Sequence, residues 1–239
     1  MLVSRSDVVR SRLEAMAGTS LPEYHLFERA ETTVNLDPHE VLFDVGVRDR
    51  RLFFVIEGVL SIAIIPPNGR ESIRRFAGVS DLISAVPPLG HPVAAPLLTG
   101  ATPVGSPSAL THYRARAITR AKLKAVDSAV FWELAGRHRA WHHLALLSFL
   151  ASVALHEKRE RELLTLSAEE RYLLLVSERP ELLGRVPQKD LARYIGVTPV
   201  AMSRIVARIR SGAVSPRTRE DLADAATRRA TARGSAGGS

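Results

Sequence analysis

The spacing of hydrophobic and polar residues changes several times along the 239-residue chain. Residues 1–30 have loose amphipathic spacing, which predicts one or two short helices. From Thr33 onward, short β-prone runs are separated by turn signals, which predicts a sandwich or barrel of strands. Strand-like alternation resumes over 111–126, and from Ser128 to Leu164 the spacing becomes helical. The pattern therefore predicts an α+β fold in which the strands precede the long helices.

Two short segments carry local signals for chain geometry. Asn68-Gly69, between two β-prone runs, predicts a tight hairpin turn. The run from Ser167 to Glu170 has the spacing of a capping box, in which each side chain accepts from the other's backbone N–H. We therefore expect a helix to begin there, to end before Pro180, and to follow a hinge at residues 165–167.

Residues 188–209 carry the most specific pattern, QKDLARYIGVTPVAMSRIVARI. Its apolar residues recur at helical spacing on both sides of a break. Gly196 suits a left-handed turn, Thr198 can cap the next helix, and Pro199 fits the first helical position, which needs no N–H. The segment predicts a helix-turn-helix, whose second helix presents Ser203 and Arg204 outward and is suited to a DNA major groove.

Charge and composition agree with an anionic partner. The chain has 33 basic and 25 acidic residues, a formal charge of +8. Residues 185–210 alone contain six Lys or Arg and one acid. The absence of cysteine excludes disulfides, cysteine-ligated zinc and cysteine-held iron–sulfur clusters. We therefore expect double-stranded DNA as a partner.

Other classes of protein are disfavoured by what the sequence lacks. It has no Gly-rich phosphate loop, nucleophile elbow or metal-spaced cluster, so we expect no enzymatic activity, metal or cofactor. The most apolar stretch, residues 144–155, is too short to span a bilayer, which needs about 20 residues. The first 20 residues lack a signal-peptide core, so we expect a cytoplasmic protein without a membrane partner.

The order of elements resembles the family of the bacterial cyclic-AMP receptor protein and the oxygen regulator FNR, the Crp/Fnr family. The resemblance runs from about Thr33 to Arg210, and LFFVIEGVLSIAI and GVTPVAMSRIVARI carry it. It implies a cyclic-nucleotide-binding-like β-roll, or jelly roll, followed by a long dimerisation helix and a helix-turn-helix domain. The implied boundaries are 1–136 for the β-roll with its flanking helices, 137–164 for the dimerisation helix, 165–212 for the DNA-binding domain and 213–239 for a disordered tail.

The effector pocket departs from the family pattern. Cyclic-nucleotide binders carry Gly-Glu and then Arg-Ser or Arg-Thr, and the resemblance aligns these pairs with Ser84-Ala85 and Thr111-His112. Residues 82–113 contain no acidic residue, Lys or Arg, and they contain six prolines, which lack an N–H. Arg116 alone aligns with a family arginine. Because a buried phosphate needs cations or N–H donors, we predict that cyclic AMP does not bind.

Other effectors remain open at the level of the sequence. An unidentified apolar molecule could occupy the proline-rich pocket, or the protein could work without a small-molecule effector. Haem is a further alternative, because several histidines lie on the long helix or near the pocket. These histidines are His91, His112, His138, His142 and His143. A ligand-binding signalling protein that acts through protein contacts is the competing function.

The resemblance also assigns roles to single residues. It makes Ser203 and Arg204 base-reading residues, whereas Val200 and Pro199 stand where many members have polar residues, so the half-site should differ from TGTGA or TTGAT. Candidate phosphate contacts are Gln188, Lys189, Arg193 and Thr198, and Arg208 could contact either bases or phosphates. The apolar stripe expected to form a homodimer comprises Leu144, Leu147, Leu150, Ala151, Ala154 and Leu155. The charged run Glu157–Glu162 is expected to be solvated, and RNA polymerase is a further candidate partner.

Overall fold

The computed structural model describes residues 5–66, 69, 71–85, 111 and 113–211. The chain divides into two compact units, Met1–Ser152 and Val153–Ser239. The helices are α1 Arg5–Ala17, α2 Tyr24–Arg29, α3 Ser128–Arg137, α4 Arg139–Thr165, α5 Ala168–Glu178, α6 Gln188–Ile195 and α7 Pro199–Arg210, with a 3₁₀ turn at Pro180–Leu182. The strands are β1 Thr32–Leu36, β2 Val41–Phe43, β3 Arg51–Glu57, β4 Leu60–Ile64, β5 Ser72–Ala77, β6 Leu82–Ser84, β7 Tyr113–Ala117 and β8 Ala121–Asp127.

The strands form two four-stranded antiparallel sheets in the first unit. Their orders are β1-β8-β3-β6 and β2-β7-β4-β5. The predicted mixture of helices and β-sheet is confirmed. Strand β6 was not predicted, because it lies at the start of the uncharged, proline-rich segment. The predicted hairpin exists as β4 and β5, and in the connection between Ile64 and Ser72 the Gly69 N–H donates to the Pro66 carbonyl at 2.9 Å, as in a turn. Asn68 itself lies outside the described residues.

A shared apolar core holds the two sheets together. It is built from large side chains of β3, β4 and β8, including Phe53, Leu60 and Leu123. Gly58 connects β3 to β4 with a φ of +95°, and a Cβ there would lie 2.4 Å from the carbonyl oxygen of Arg120. Only glycine tolerates both the positive φ and this close approach. The glycine therefore fixes the crossing between the two sheets.

A second core in the same unit packs the helices on β3. Trp141 is fully buried, stacks on Tyr24 with 6.1 Å between ring centroids, and donates from its indole N–H to the Pro22 carbonyl at 2.7 Å. Leu144 belongs to this core and has no exposed surface. Leu144 was expected on the dimer stripe, but its side chain is already enclosed by its own chain.

The second unit shows the predicted local signals. Ser167 and Glu170 form the capping box that begins α5. Gly196 ends α6 with a φ of +85°, and the Thr198 hydroxyl accepts from the Ala201 N–H at the start of α7. The buried residues that join α6 and α7 are Leu191, Ala192, Ile195, Met202 and Ile205. The two short helices and their turn therefore lie where the sequence predicted them.

Two further expectations concern a membrane-spanning helix and the C-terminal tail. Among the described residues, no helix is long and apolar enough to cross a bilayer. The tail predicted to be disordered, 213–239, lies outside the described residues.

Candidate nucleic-acid interface

The outward surface of α7 is the candidate base-reading surface. Pro199, Val200, Ser203 and Arg204 are exposed there, with Val200 reaching 64%, whereas Met202 and Ile205 are buried against α6. The helix has 12 residues, a length of about 18 Å. An α-helix is about 10–12 Å in diameter with its side chains, so it fits into a B-DNA major groove, which is about 12 Å wide.

Ser203 and Arg204 differ in the hydrogen bonds that they already make. The Ser203 hydroxyl donates to the Pro199 carbonyl at 3.0 Å, so its proton is engaged and its oxygen remains an acceptor. The Arg204 guanidinium makes no hydrogen bond or ion pair with any residue that the structure describes. The donors of Arg204, beside Ser203 in the middle of α7, are therefore available for a guanine edge.

The candidate phosphate contacts fall into two groups. Gln188 and Lys189 are exposed at the first turn of α6, and Thr198 is exposed at the cap of α7. In contrast, Arg193 donates to Asp190 at 3.0 Å, and Arg208 donates to Glu169 on α5 at 2.8 Å. A phosphate must therefore compete with an internal carboxylate at Arg193 and Arg208.

The sequence reasoning missed the role of Asp190. Its side chain is completely buried at the start of α6, where a carboxylate oxygen accepts from Arg193. A carboxylate in the first turn also interacts favourably with the positive end of the helix dipole. The one acid in the basic segment is therefore structural, and its position after the helix start was the only signal for this role.

The residues aligned with the cyclic-nucleotide cassette lie in the first unit. Ala85 and Thr111 are fully buried, and Ser84 at the end of β6 is half-buried. The Thr111 hydroxyl is engaged locally, since it accepts from the Tyr113 N–H at 3.2 Å. Arg116 on β7 lies 3.6 Å from the carboxylate of Glu71. His112 and the proline-rich residues 86–110, including His91, lie outside the described residues.

Other arginines of the second sheet also have partners. Arg114 forms two hydrogen bonds with Asp44, of 2.9 and 2.7 Å, and these hold the pKa of the Asp44 carboxyl below its usual value. Arg75 donates to the Leu82 carbonyl at 2.8 Å, and Arg74 donates to the Tyr113 hydroxyl. Each arginine of this sheet therefore already has a partner within the chain.

The histidines of α4 do not form a metal cluster. The imidazole Nε2 of His138 lies 2.8 Å from the Glu23 carboxylate, which lowers the pKa of Glu23. His142 and His143 are exposed in an open groove of about 680 Å³ at the junction of α3 and α4. Within the described residues, no group of three or more histidines and acids could hold a metal ion.

The exposed apolar side chains of α4 lie partly apart from the predicted stripe. Leu150, Ala151 and Ala154 are exposed and Leu147 is half-buried, as a contact surface requires. The larger exposed side chains are Leu146, Phe149, Leu150, Val153 and Leu155. The first four follow the spacing i, i+3, i+4 and i+7, which places them on one helix face. This face, together with the predicted residues other than Leu144, is the candidate dimer surface.

The fold is shared with solved structures of bacterial regulators. FixK2 from Bradyrhizobium japonicum matches with a TM-score of 0.61 and 16% identity over 81% of this chain and 96% of that chain. A CooA mutant from Carboxydothermus hydrogenoformans matches with 0.59 and 14% over 90% and 94%. The c-di-GMP responsive global regulator CLP of Xanthomonas campestris matches with 0.52 and 16% over 81% and 94%.

These structures are regulators of the Crp/Fnr family, and they share with this chain a mixed fold of helices and antiparallel sheets, as the sequence resemblance led us to expect. No protein-family model and no curated protein sequence matches the chain. At 14–16% sequence identity, the similarity to these solved structures shows the fold of the chain.

Proposed function

We propose that the chain is a DNA-binding transcription regulator of the Crp/Fnr family, and not an enzyme. It acts as a homodimer on a palindromic operator and does not respond to cyclic AMP. The observation that carries this proposal is the exposed surface of α7, where Arg204 is held outward without an internal partner among the described residues. The shared fold with bacterial regulators supports it.

The chemistry of α7 favours a specific type of half-site. Arg204 can donate two hydrogen bonds to guanine O6 and N7. Ser203 can accept from an exocyclic amino group, since its own proton is engaged with Pro199. Val200 and Pro199 offer only apolar contact, which suits a thymine methyl. Lys189, Gln188 and Thr198 then position the helix pair through phosphates.

A homodimer is the arrangement that matches a palindrome. A two-fold pair of proteins places two recognition helices on half-sites about one helical turn apart. The apolar side chains Leu146, Phe149, Leu150 and Val153 are exposed on α4 of the single chain, and a second copy would cover them. Leu147, Ala151 and Ala154 lie beside them and widen the proposed contact.

Independence from cyclic AMP is supported by the first unit. A cyclic phosphate carries a full negative charge, so its burial needs a cation or several donors. The nearby cation, Arg116, lies beside Glu71, and Ala85 stands where the family carries an acid. An added phosphate would have to displace an existing carboxylate before it gained an ion pair.

The test is selection of bound sequences from random DNA by the purified full chain, dialysed free of small molecules. We expect enrichment of a palindrome with guanine in each half-site, and a gel shift with that palindrome at about 150 mM salt, without added ligand. Calorimetric titration with cyclic AMP should give no binding heat. Enrichment that appears only after a small-molecule extract is added would contradict independence from an effector, and no enrichment at all would contradict the function.

A further inference from the structure

The carboxyl end of α6 carries two carbonyl groups with unusual partners. The last carbonyls of any helix lack intrahelical donors. Here the Tyr194 carbonyl accepts from the guanidinium of Arg159, which lies on α4, and the Ile195 carbonyl accepts from Nε of Arg171, which lies on α5, at 2.9 Å. Two arginines from two other helices of the second unit therefore meet at one helix end.

Arg159 is held firmly in this position. Its guanidinium carbon lies 4.1 Å from the centre of the Tyr194 ring, and its Nη1 donates to Glu162 at 3.1 Å. Its side chain is only 14% exposed. Stacking, ion pairing and carbonyl binding act on the same group, so its position is determined by three contacts at once.

Arg171 bridges two other points. In addition to the Ile195 carbonyl, its guanidinium donates to the carbonyl of Leu166, next to the capping box of α5. Burial lowers the pKa of Arg171, and the neighbouring charge of Arg159 lowers it further. Like charges repel, but the negative end of the α6 dipole favours cations at this place.

The location of these contacts gives them a functional meaning. Tyr194 and Ile195 directly precede the turn of Gly196, Val197 and Thr198, and Thr198 caps α7. Anchoring the two carbonyls therefore fixes the point from which the candidate recognition helix starts.

We propose that Arg159 and Arg171 are positioning residues that clamp the carboxyl end of α6 and so fix where the recognition helix starts. This proposal rests on the proposed DNA-binding function. Arg159 does not contact DNA; it acts through the backbone of α6.

The test compares Arg159→Ala with Arg161→Ala in the full chain. Arg161 is exposed two residues away on the same helix, so the control removes the same charge without the clamp. We expect Arg159→Ala to bind a selected operator at least about tenfold more weakly, a difference of about 1.4 kcal/mol. Binding to random DNA should change less than about threefold, and Arg161→Ala should match the wild type on both duplexes. Arg159→Lys keeps the charge but cannot stack and donate in the same way, so it should fall in between.

Amide hydrogen exchange provides a readout that needs no DNA. We expect the N–H groups of Gly196, Val197 and Ala201, which are hydrogen-bonded in the turn, to exchange at least about tenfold faster in Arg159→Ala while the thermal midpoint stays close to that of Arg161→Ala. Equal exchange and equal operator binding in the two variants would overturn the clamp. So would an affinity loss that is the same on random DNA. If the wild type itself does not distinguish operator from random DNA, the proposed function fails, and the exchange result still decides the clamp.

Discussion

The second sheet and helix α7 are both rich in arginine, but their arginines are in opposite states. On α7, Arg204 is exposed and has no partner among the described residues. The sheet arginines have these partners: Arg74 with Tyr113, Arg75 with Leu82, Arg114 with Asp44 and Arg116 with Glu71. The number of arginines therefore does not indicate where an anion binds; the internal partners of each arginine do.

This difference shows why the net charge of +8 does not by itself locate an anion site among the described residues. An anion that approached Arg114 or Arg116 would meet Asp44 or Glu71 as well, and the fields of the paired charges largely cancel. At α7 the cation faces solvent. We propose that nucleic-acid recognition belongs to the second unit, and the following predictions test the arginines of both surfaces.

Replacing Arg204 should have the largest effect. Arg204→Ala removes one bidentate base contact, worth about 1–3 kcal/mol, from each half-site, so a dimer should lose roughly 30-fold to 10⁴-fold in operator affinity. The residue is exposed, so the thermal midpoint should not change. Titration of a fluorescent operator in competition with random DNA measures the loss of discrimination.

Arg210→Ala is the matched control, because it removes the same charge from the exposed last turn of α7. We expect it to weaken operator and random DNA to similar small extents. If Arg204→Ala weakened binding to both duplexes equally, Arg204 would be a phosphate contact. Arg204 would then differ from the sheet arginines in its available charge and not in base recognition.

The exposed face of α4 gives the next largest effect. Placing Asp at both Phe149 and Leu150, which are 45% and 52% exposed in the single chain, should raise the dimer dissociation constant at least about 100-fold, because four carboxylates would be buried together without partners. Sedimentation measures the change. Leu163→Asp is the control, since Leu163 is 48% exposed and lies ten residues beyond Val153 on the same helix, outside the proposed contact.

Leu144 separates dimer contacts from core contacts on the same helix. Leu144→Ala should destabilise the folded chain by about 2–5 kcal/mol, because it creates a cavity beside Trp141, without preferentially dissociating the dimer. A Leu144 variant that became monomeric at an unchanged thermal midpoint would restore Leu144 to the predicted stripe.

The sequence predicted best where geometry is decided locally. Gly196, Thr198 and Pro199 determine a turn and a helix start through their own backbone and side-chain chemistry, and the structure has both. The capping box at Ser167 and Glu170 follows the same rule. Neither needs information from distant parts of the chain.

The sequence failed where a partner is distant. The run Glu157–Glu162 was expected to be solvated, but Arg159 reaches Tyr194 and Glu162 is buried. Leu144 fits a dimer stripe by spacing, yet the first-unit core encloses it. Arg116 on β7 pairs with Glu71, which directly precedes β5, and no local sequence pattern indicates a pair so far apart in the chain. Charge and periodicity show what a residue can do, whereas packing determines what it does.

Glu71→Gln tests the buried side of the comparison. The side chains of Arg116 and Glu71 are only 17% and 13% exposed, so removing the negative charge leaves a poorly solvated cation. We expect a loss of about 1–3 kcal/mol in the free energy of unfolding, measured by urea denaturation. Glu133→Gln, which breaks an exposed pair with Arg137, should change stability by less than about 0.5 kcal/mol. Equal effects of the two variants would contradict the importance of burial.

Asp44→Asn should have the smallest effect, because the side chains of Arg114 and Asp44 are 33% and 40% exposed and solvent screens the pair. We expect a loss of less than about 1 kcal/mol at pH 7, and a smaller one in high salt. The hydrogen bonds from Arg114 lower the pKa of Asp44 in the folded chain, so the wild type has this stabilisation above the usual pKa of 3.8 and loses it as the pH falls through the lowered value.

The stability difference between wild type and Asp44→Asn should therefore disappear at low pH, which thermal melting between pH 2.5 and 7 at roughly constant ionic strength can measure. Operator affinity should stay within about twofold of the wild type, since the change adds a positive charge to the first unit without altering α7. A difference that persisted below the lowered pKa would contradict the ion pair with Arg114 as its cause, because both carboxyl and amide are then uncharged. Tighter operator binding by Asp44→Asn would show that Arg114 attracts DNA once its carboxylate partner is removed. The second sheet and α7 would then differ only in how strongly their arginines attract DNA.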